Sequence, residues 1–395
     1  MEISRSGKIQ EITTTPIGAI FMNSKTLMLL CTLAVTTFSY SAFSQESSVC
    51  ADPLQKICKE TEGLRSQREG YVNQLKAEIG KEASANAAPR IADMKSKVSK
   101  FKLIKRMIET YKINNQEIMK AAKKRVVGLE SVVTNPETVA LLRGYMDQAI
   151  SESHFDEATK VGLKGIMAQV IIGNFADFLE KTGLEESALG QLLNNPCGSD
   201  GLVDNAFATE INKQKYVLIC PGFLVTLTQT PDLRERFNSI LHAISHEMGH
   251  HIDNSKVGNQ LYAPFLICLA QNHADRFNLT KEDEKFCKKN TDKPGACAVQ
   301  TTISHAGELI ADAWGIKVLN IHARKQGYSF QETNSLLTDS WSKLCGTGDE
   351  GIHPSGDFRI GTLLRMDPDM SSYLACDNSA INSKPACTLE GAVNI

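Results

Sequence analysis

The sequence predicts a mainly α-helical protein of the α+β class with one small β-sheet. Residues 46–195 carry apolar residues at helical spacing, residues 205–223 look like a β-hairpin, and two later segments, 230–253 and 304–325, are again helical in pattern. The chain has 395 residues, 42% of them apolar, and a net charge of −2, which is typical of globular proteins. It lacks the excess of positive charge that would indicate a nucleic-acid partner.

Residues 1–44 are predicted to be an upstream segment followed by a signal peptide. From Met22 the chain has one basic residue, an apolar run and then small residues, which is the pattern of a secretory signal peptide. Ala42 and Ser44 precede the predicted cut, so the mature chain would begin at Gln45. The apolar run is shorter than the roughly 20 residues of a spanning helix. We therefore expect export to a periplasm or the extracellular space, without a stable membrane span.

The cysteine content agrees with export. Of eleven cysteines, only Cys31 lies in the predicted signal peptide, and the even set that remains indicates disulfides in an exported chain. No CxxC pair occurs, so a structural zinc site built from cysteines is not expected.

Residues 45–195 are predicted to form a helical N-terminal domain, in which "ASANAAP" at 83–89 is interpreted as a break between helices. The spacing predicts that one helix face carries Met94, Val98, Phe101, Ile104, Ile108 and Tyr111. Basic residues are interleaved with this face, namely Lys95, Lys97, Lys100, Lys102, Lys105 and Arg106. An anionic partner or a membrane surface would explain them, but a solvated helix face is the favoured interpretation, because acidic residues balance the charge of the chain.

Residues 196–395 are predicted to form a second domain. Apolar and β-favouring residues on both sides of the polar "EINKQK" predict an edge hairpin. Thr230 as N-cap and Pro231 in the first turn then begin a helix that continues into HEMGHH. A second helix over 304–325 is closed by Gly327.

HEMGHH, residues 246–251, has the spacing of a catalytic metal site. On a helix, His246 and His250 lie one turn apart on the same face, so both imidazoles can bind one metal ion. Glu247 lies beside the first of them and can take a proton from water, which is the HExxH arrangement of zinc peptidases. His251 is expected to point away from the metal.

Catalytic zinc needs a third protein ligand, and "HAGELIADAWG" offers Glu308 for this role. Asp312, one turn later, can accept the other ring N–H of a ligand histidine. His305 is interpreted as a core or surface residue. Further on, His353 is a candidate donor to the oxyanion that forms at an amide carbonyl. Arg359 is expected either to bind a substrate carbonyl or to brace the helix that carries Glu308.

Together these segments resemble the neprilysin family of zinc endopeptidases, over about residues 200–390. The matching motifs are "NAF" at 205–207, "HEMGHHID", "GELIAD", "CGT" at 345–347 and "HPSGDFRIGTL" at 353–363. A secondary resemblance is to HtpX-like membrane or periplasmic zinc peptidases. The resemblance implies a thermolysin-like zincin core, with the N-terminal helices packed over it. The chain is much shorter than the neprilysin family, so a substrate-size limit does not carry over.

The resemblance also implies a role for each matching residue. His246, His250 and Glu308 would bind one Zn²⁺, with Glu247 as general base and acid. Asp312 and Asp253 would orient the ligand histidines. Asn205 and Ala206 would hold the substrate backbone, His353 would stabilise the transition state, and Arg359 would contact the substrate. The implied disulfides are Cys50–Cys376, Cys58–Cys345, and Cys387 with one of Cys268, Cys287 or Cys297.

The predicted function is therefore that of a secreted zinc metallopeptidase acting on peptides or proteins, with water activated by zinc and Glu247. The alternative is an exported zinc-binding protein without catalysis, which uses its helical N-terminal region for interaction. The sequence does not determine the oligomeric state.

Overall fold

Long helices dominate the computed structural model of the chain, in which the described residues are 55–59, 61–100, 102–126, 135–181, 196–198, 200–229, 233–253, 261–274, 277, 279, 281–290, 294–347, 353–366, 386–389 and 391–393. All of them belong to a unit that spans Ser48–Ile395. The predicted signal peptide, Cys50, Cys376, Thr230 and Pro231 lie outside the described residues. Among those described, no helix is both long and apolar enough to cross a membrane.

The helices of the described chain fall into two groups, before and after the central hairpin. The first group is α1 (Glu62–Lys97), α2 (Leu103–Arg125), α3 (Pro136–Glu152), α4 (Glu157–Ala168) and α5 (Phe175–Lys181). The second group is α6 (Pro221–Thr226), α7 (Leu233–Asp253), α8 (Ala263–Asn272), α9 (Lys281–Lys289), α10 (Pro294–Gln326), α11 (Phe330–Ser342) and α12 (Gly356–Met366). A π-helical turn at Gln55–Lys59 and a 3₁₀ turn at Leu227–Gln229 add to them.

A three-stranded sheet lies between the two groups of helices in the sequence. Its strands are β1 (Val170–Asn174), β2 (Ala206–Ile211) and β3 (Gln214–Ile219), in the order β1-β3-β2, with β1 parallel and β2 antiparallel to β3. Asn212 and Lys213, both with positive φ, form the two-residue turn of the β2–β3 hairpin, as such turns require. The predicted hairpin and mainly α class are confirmed. A second, two-stranded sheet joins β4 (Ala386–Thr388) and β5 (Gly391–Val393).

Two predictions about the N-terminal helices are wrong. The segment 83–89 is not a break, because α1 continues through it, including Pro89. Alanine is the strongest helix former, and Ala83 and Ala87 are buried one turn apart. The predicted helix face from 94 to 111 is instead interrupted, since α1 ends at Lys97 and Val98 is extended.

The larger buried cluster of the described residues includes side chains from both halves of the chain. Ile79 of α1 and Tyr145 of α3 belong to it, together with Ile244 of α7 and Trp314 of α10. The division into domains at residue 195 stays a prediction.

Four disulfides link the described residues. Cys58–Cys345 confirms the pairing implied by the neprilysin resemblance, and Cys387 pairs with Cys268, one of its three candidates. The other two bonds, Cys197–Cys220 and Cys287–Cys297, were not predicted as pairs.

Candidate metal centre

HEMGHH lies in the last two turns of α7. Five apolar residues of this helix are fully buried, namely Ile240, Leu241, Ile244, Met248 and Ile252. This burial fixes the rotation of the helix, because the remaining face then carries the polar positions. His246 and His250, one turn apart, lie on that remaining face.

Close packing of α7 on α10 brings the third candidate ligand to the two histidines. A Cβ atom at Gly249 would lie 2.8 Å from Cα of Ala311, and one at Gly307 would lie 2.7 Å from Oδ2 of Asp253. The first contact is between backbones, which only glycine permits at this distance, and the second leaves room for the Asp253 side chain. Glu308, which follows Gly307 on α10, therefore lies directly opposite the histidines.

The donor atoms of these three residues are spaced as zinc requires. Nε2 of His246 and Nε2 of His250 are 3.2 Å apart. The carboxylate of Glu308 reaches Nε2 of His246 with Oε2 and Nε2 of His250 with Oε1, both at 3.4 Å. Donors held about 2.0–2.1 Å from a tetrahedral ion lie about 3.3–3.4 Å from one another. His246, His250 and Glu308 thus fit one zinc ion.

The pKa values of the candidate ligands are shifted because these side chains lie close together in a buried site. Burial alone would lower the pKa of His246, but Asp312 and Glu308 raise it to about 10. Burial alone would raise the pKa of Glu308, yet hydrogen bonds from His246 and His250 hold it well below its ordinary value. Without a metal ion the cluster is therefore held together by charge, and metal binding has to displace protons from it.

Asp312 and Arg359 hold His246 in place on the Nδ1 side of its ring, opposite the candidate metal position. Oδ1 of the fully buried Asp312 lies 2.9 Å from Nδ1 of His246, which directs Nε2 towards the other ligands. Arg359 of α12 donates to Asp312 through Nε at 2.8 Å and Nη2 at 2.6 Å. Nη2 also lies 3.4 Å from Oε2 of Glu308. Of the two roles expected for Arg359, this geometry favours bracing, and the contact with substrate stays a prediction.

Asp253, the other predicted orienting residue, lies at the end of α7. Burial raises the pKa of Asp253, and the nearby imidazole of His250 acts in the opposite direction. The role of Asp253 in orienting His250 stays a prediction.

Glu247 contacts the edge strand of the sheet. Its Oε2 accepts the backbone N–H of Ala208 in β2 at 2.8 Å. Burial raises the pKa of Glu247, against the opposing effect of His246 and His250. One carboxylate oxygen of Glu247 and one ring nitrogen of each of the two histidines lie within 4.8 Å of one another. A carboxylate with a raised pKa beside a metal site is suited to general base catalysis.

The hydrogen bond from Ala208 to Glu247 shows which edge of β2 the N–H of Ala208 faces, namely the edge away from β3. The main-chain groups of an antiparallel strand face the two edges alternately, so the groups of Ala206, two residues earlier, also point away from β3. Asn205 differs, because its carbonyl accepts the N–H of Cys220 at 3.0 Å and its side-chain amide donates to the Pro196 carbonyl at 3.1 Å. Of the two predicted substrate-binding residues, Ala206 is therefore the one whose main-chain groups do not pair with β3, and the residue is 8% exposed.

His353, on the segment before α12, completes the group of candidate residues. Its Nε2 lies 3.3 Å from Oε1 of Glu308, and its side chain is 54% exposed. It is thus beside the ligands and open to solvent. His251 faces the sheet instead, with Nε2 2.9 Å from the carbonyl of Tyr216, and His305 is a buried residue of α10.

Three residues of the site are not evident from the ligand motifs alone. Gly249 sets the approach of the two helices, Gly307 leaves room for the Asp253 carboxyl group, and the N–H of Ala208 holds Glu247. Gly249 lies within HEMGHH and Gly307 begins GELIAD, and a glycine in each ligand motif is the feature of the sequence that could have indicated them. Ala208 follows Ala206 by two residues, so strand periodicity alone gives both the same orientation.

A separate polar cavity of about 360 Å³ lies near the N-terminal end of α7, with Asn238 in its wall. Its charged groups are engaged with the protein: Arg234 donates to Glu332 at 3.1 Å, and Arg65 donates to the Ser342 carbonyl at 3.3 Å. We assign no ligand to it.

Comparison with known proteins adds little to this geometry. No protein-family model and no curated protein matches the chain. Among solved structures, the chain is similar to the crystal structure of Mycobacterium tuberculosis zinc metalloprotease Zmp1 in complex with inhibitor, with a TM-score of 0.42 and 13% sequence identity. The match covers 69% of this chain and 48% of that one, so the chain spans about half the length of that protein. A similarity of this level assigns neither activity nor substrate.

Proposed function

We propose that the protein is a zinc metallopeptidase that hydrolyses peptide bonds. The observation that carries this proposal is the convergence of two histidine nitrogens and one glutamate carboxylate at 3.2–3.4 Å, with Glu247 beside them. Structural zinc sites use four protein ligands, whereas three leave a coordination position open for chemistry. Pure zinc binding would also give no role to a buried carboxyl group with a raised pKa such as Glu247.

We propose a role for each residue from its position. His246, His250 and Glu308 would hold one zinc ion, which would act as a Lewis acid on a carbonyl oxygen and make water more acidic. Glu247 takes the proton from the attacking water and transfers it to the leaving amine. His353 donates a hydrogen bond to the oxyanion. Asp312, braced by Arg359, keeps the imidazole of His246 oriented.

The edge strand supports a peptide as the substrate. The outward main-chain groups of Ala206 allow an extended peptide to add to β2 as a further strand. The same strand contacts the general base through Ala208, so a peptide bound along it passes beside Glu247. We propose Ala206 as the main-chain contact, with Asn205 and Arg359 as further contacts to substrate.

An exported site of action fits this function. Four disulfides among the described residues are typical of proteins from an oxidising compartment. We propose that residues 1–44 direct export and that residues 45–195 pack over the catalytic part of a zincin fold.

The test is digestion of a peptide library by the purified protein, with metal analysis of the same sample. We expect about one zinc per chain and cleavage that stops with a chelator and returns with zinc. Glu247→Gln should keep the zinc and lower the cleavage rate by about 10²–10⁴-fold, because only the base is lost. Glu284→Gln, on the exposed surface of α9, is the matched control and should cleave normally.

Two outcomes would contradict the proposal. Equal cleavage by Glu247→Gln and the unmodified protein would exclude this mechanism. Stoichiometric zinc without any cleavage would favour the alternative, a catalytically silent zinc protein that binds partners through its helical region.

A further inference from the structure

The tip of the α1–α2 helical hairpin extends beyond the buried part of the fold. Ala87 is the last buried residue of α1, and Ile113 is the first buried residue of α2. No described residue between them is buried. The ten residues of α1 after Ala87 span about 15 Å at 1.5 Å per residue. The tip therefore adds surface to the protein without adding to its core.

The turn at the tip has a defined conformation. Arg106 donates from Nε to the carbonyl of Val98 at 3.0 Å, and from Nη2 to the carbonyls of Lys95 and Val98 at 2.5 and 2.6 Å. These bonds satisfy carbonyl groups at the end of α1 and tie them to the first turn of α2. The two helix ends are thus held together.

The tip has a high density of positive charge. Its exposed basic side chains are Lys95, Lys97, Lys100, Lys102 and Lys105. Asp93 forms an ion pair with Lys97 at 2.7 Å. The other four lysines form no ion pair with any residue that the structure describes. Their charge is therefore available to an external anion.

Two large apolar side chains lie among these lysines. Leu103 is 65% exposed and Ile104 is 40% exposed, in the first turn of α2. Large apolar side chains are exposed elsewhere among the described residues, such as Leu64 at 52% and Val161 at 69%, but Leu103 and Ile104 are consecutive and lie between Lys102 and Lys105. Lysines that surround exposed leucine and isoleucine are typical of surfaces that bind anionic lipid.

We propose that the tip of the α1–α2 hairpin, residues 95–100 and 102–106, docks the protein on an anionic membrane surface. The lysines bind the lipid headgroups, while Leu103 and Ile104 enter the boundary between headgroups and acyl chains. This is peripheral docking and needs no spanning helix. It does not depend on the metal centre, since none of its residues belongs to that site.

The test is co-sedimentation of the full chain with phosphatidylcholine vesicles in which about a third of the lipid is anionic phosphatidylglycerol. We expect binding at about 0.05 M salt, with none to vesicles of phosphatidylcholine alone, and a strong decrease at about 0.5 M salt. Lys100→Gln/Lys102→Gln/Lys105→Gln should weaken binding by at least about tenfold.

Two further variants make the test specific to the tip. Lys59→Gln/Lys81→Gln/Lys213→Gln removes the same charge from scattered exposed positions and should bind as the unmodified protein does. Leu103→Ser/Ile104→Ser keeps all charges and should weaken binding several-fold. Because no described side chain between Ala87 and Ile113 is buried, these tip variants should unfold at the same temperature as the unmodified protein.

Three results would overturn the proposal. The first is no binding to anionic vesicles at low salt. The second is equal loss in the tip and control lysine variants, which would indicate non-specific attraction. The third is unchanged binding by Leu103→Ser/Ile104→Ser, which would show that these two side chains do not enter the membrane.

Discussion

Replacing Arg359 with methionine removes the guanidinium group that holds Asp312, while a side chain of similar length remains. Asp312 is fully buried and accepts two hydrogen bonds from Arg359, at 2.8 and 2.6 Å. Removing one partner of such a pair costs about 3–5 kcal/mol, because the remaining charge is left buried. His246 still contacts Asp312, so we expect a loss of about 3 kcal/mol in the free energy of unfolding.

The same substitution should weaken zinc binding. Asp312 directs the ring of His246, and the loss of such a supporting group typically lowers metal affinity by about 10–100-fold. Urea unfolding of the metal-free protein measures the first effect, and competition with a chelator measures the second. Arg359→Lys keeps the charge but not the two-pronged contact, so it should fall between the two proteins in both assays.

Arg324→Met is the matched control for this prediction. Arg324 pairs with Glu152 on the surface, where both side chains are about two-fifths exposed, and such pairs contribute less than about 1 kcal/mol. If Arg359→Met and Arg324→Met destabilise the protein equally and leave zinc affinity unchanged, the bracing role of Arg359 is refuted.

Three further predictions concern packing, pH and covalent links. Gly249→Ala should force α7 and α10 apart and lower zinc affinity, as measured by chelator competition, whereas Gly144→Ala, which adds its Cβ in open space, should not. Burial lowers the pKa of His322 from 6.5 to about 4, so its contribution to stability is complete above pH 6.5 and is lost as the pH falls towards 4. Burial also lowers the pKa of His242 and His251, so the total pH dependence is not due to His322 alone. The test is therefore the difference in urea unfolding between the unmodified protein and His322→Gln, which should change by roughly 3 kcal/mol over that range. The double variant Cys58→Ser/Cys345→Ser opens a link between residues 287 positions apart and should lower the free energy of unfolding by about 2–5 kcal/mol.

The helices that carry the candidate ligands were predictable because chemistry and periodicity act over one or two turns. His246 and His250 share a face at their spacing on any α-helix, and Glu308 and Asp312 do so on another. What the sequence could not provide is the distance between the helices. That distance depends on the contact of Gly249 with Ala311, which joins residues far apart in the chain.

The errors in the N-terminal region have a different origin. Local signals at Pro89 and in the apolar pattern around Val98 were ambiguous, and tertiary packing decided between the alternatives. Burial of Ala83 and Ala87 favours a continuous helix across the proline. The capping bonds of Arg106 favour a turn where the apolar pattern continues. Neither contact is visible from spacing alone.

Cysteine pairing shows the same limit. An even number of cysteines predicts bonds but not partners, and Cys197–Cys220 depends on how the start of β2 folds against the end of β3.

The backbone contact between Gly249 and Ala311 also determines which parts of the protein are free to diverge. Because two helices and their point of contact fix all three donor atoms, none of the described residues between 254 and 293 is needed as a ligand. Insertions or replacements in this part of the chain would leave the spacing of the three donor atoms unchanged. In related chains we expect position 249 to stay glycine and position 311 to stay small, and length differences to accumulate between the two helices.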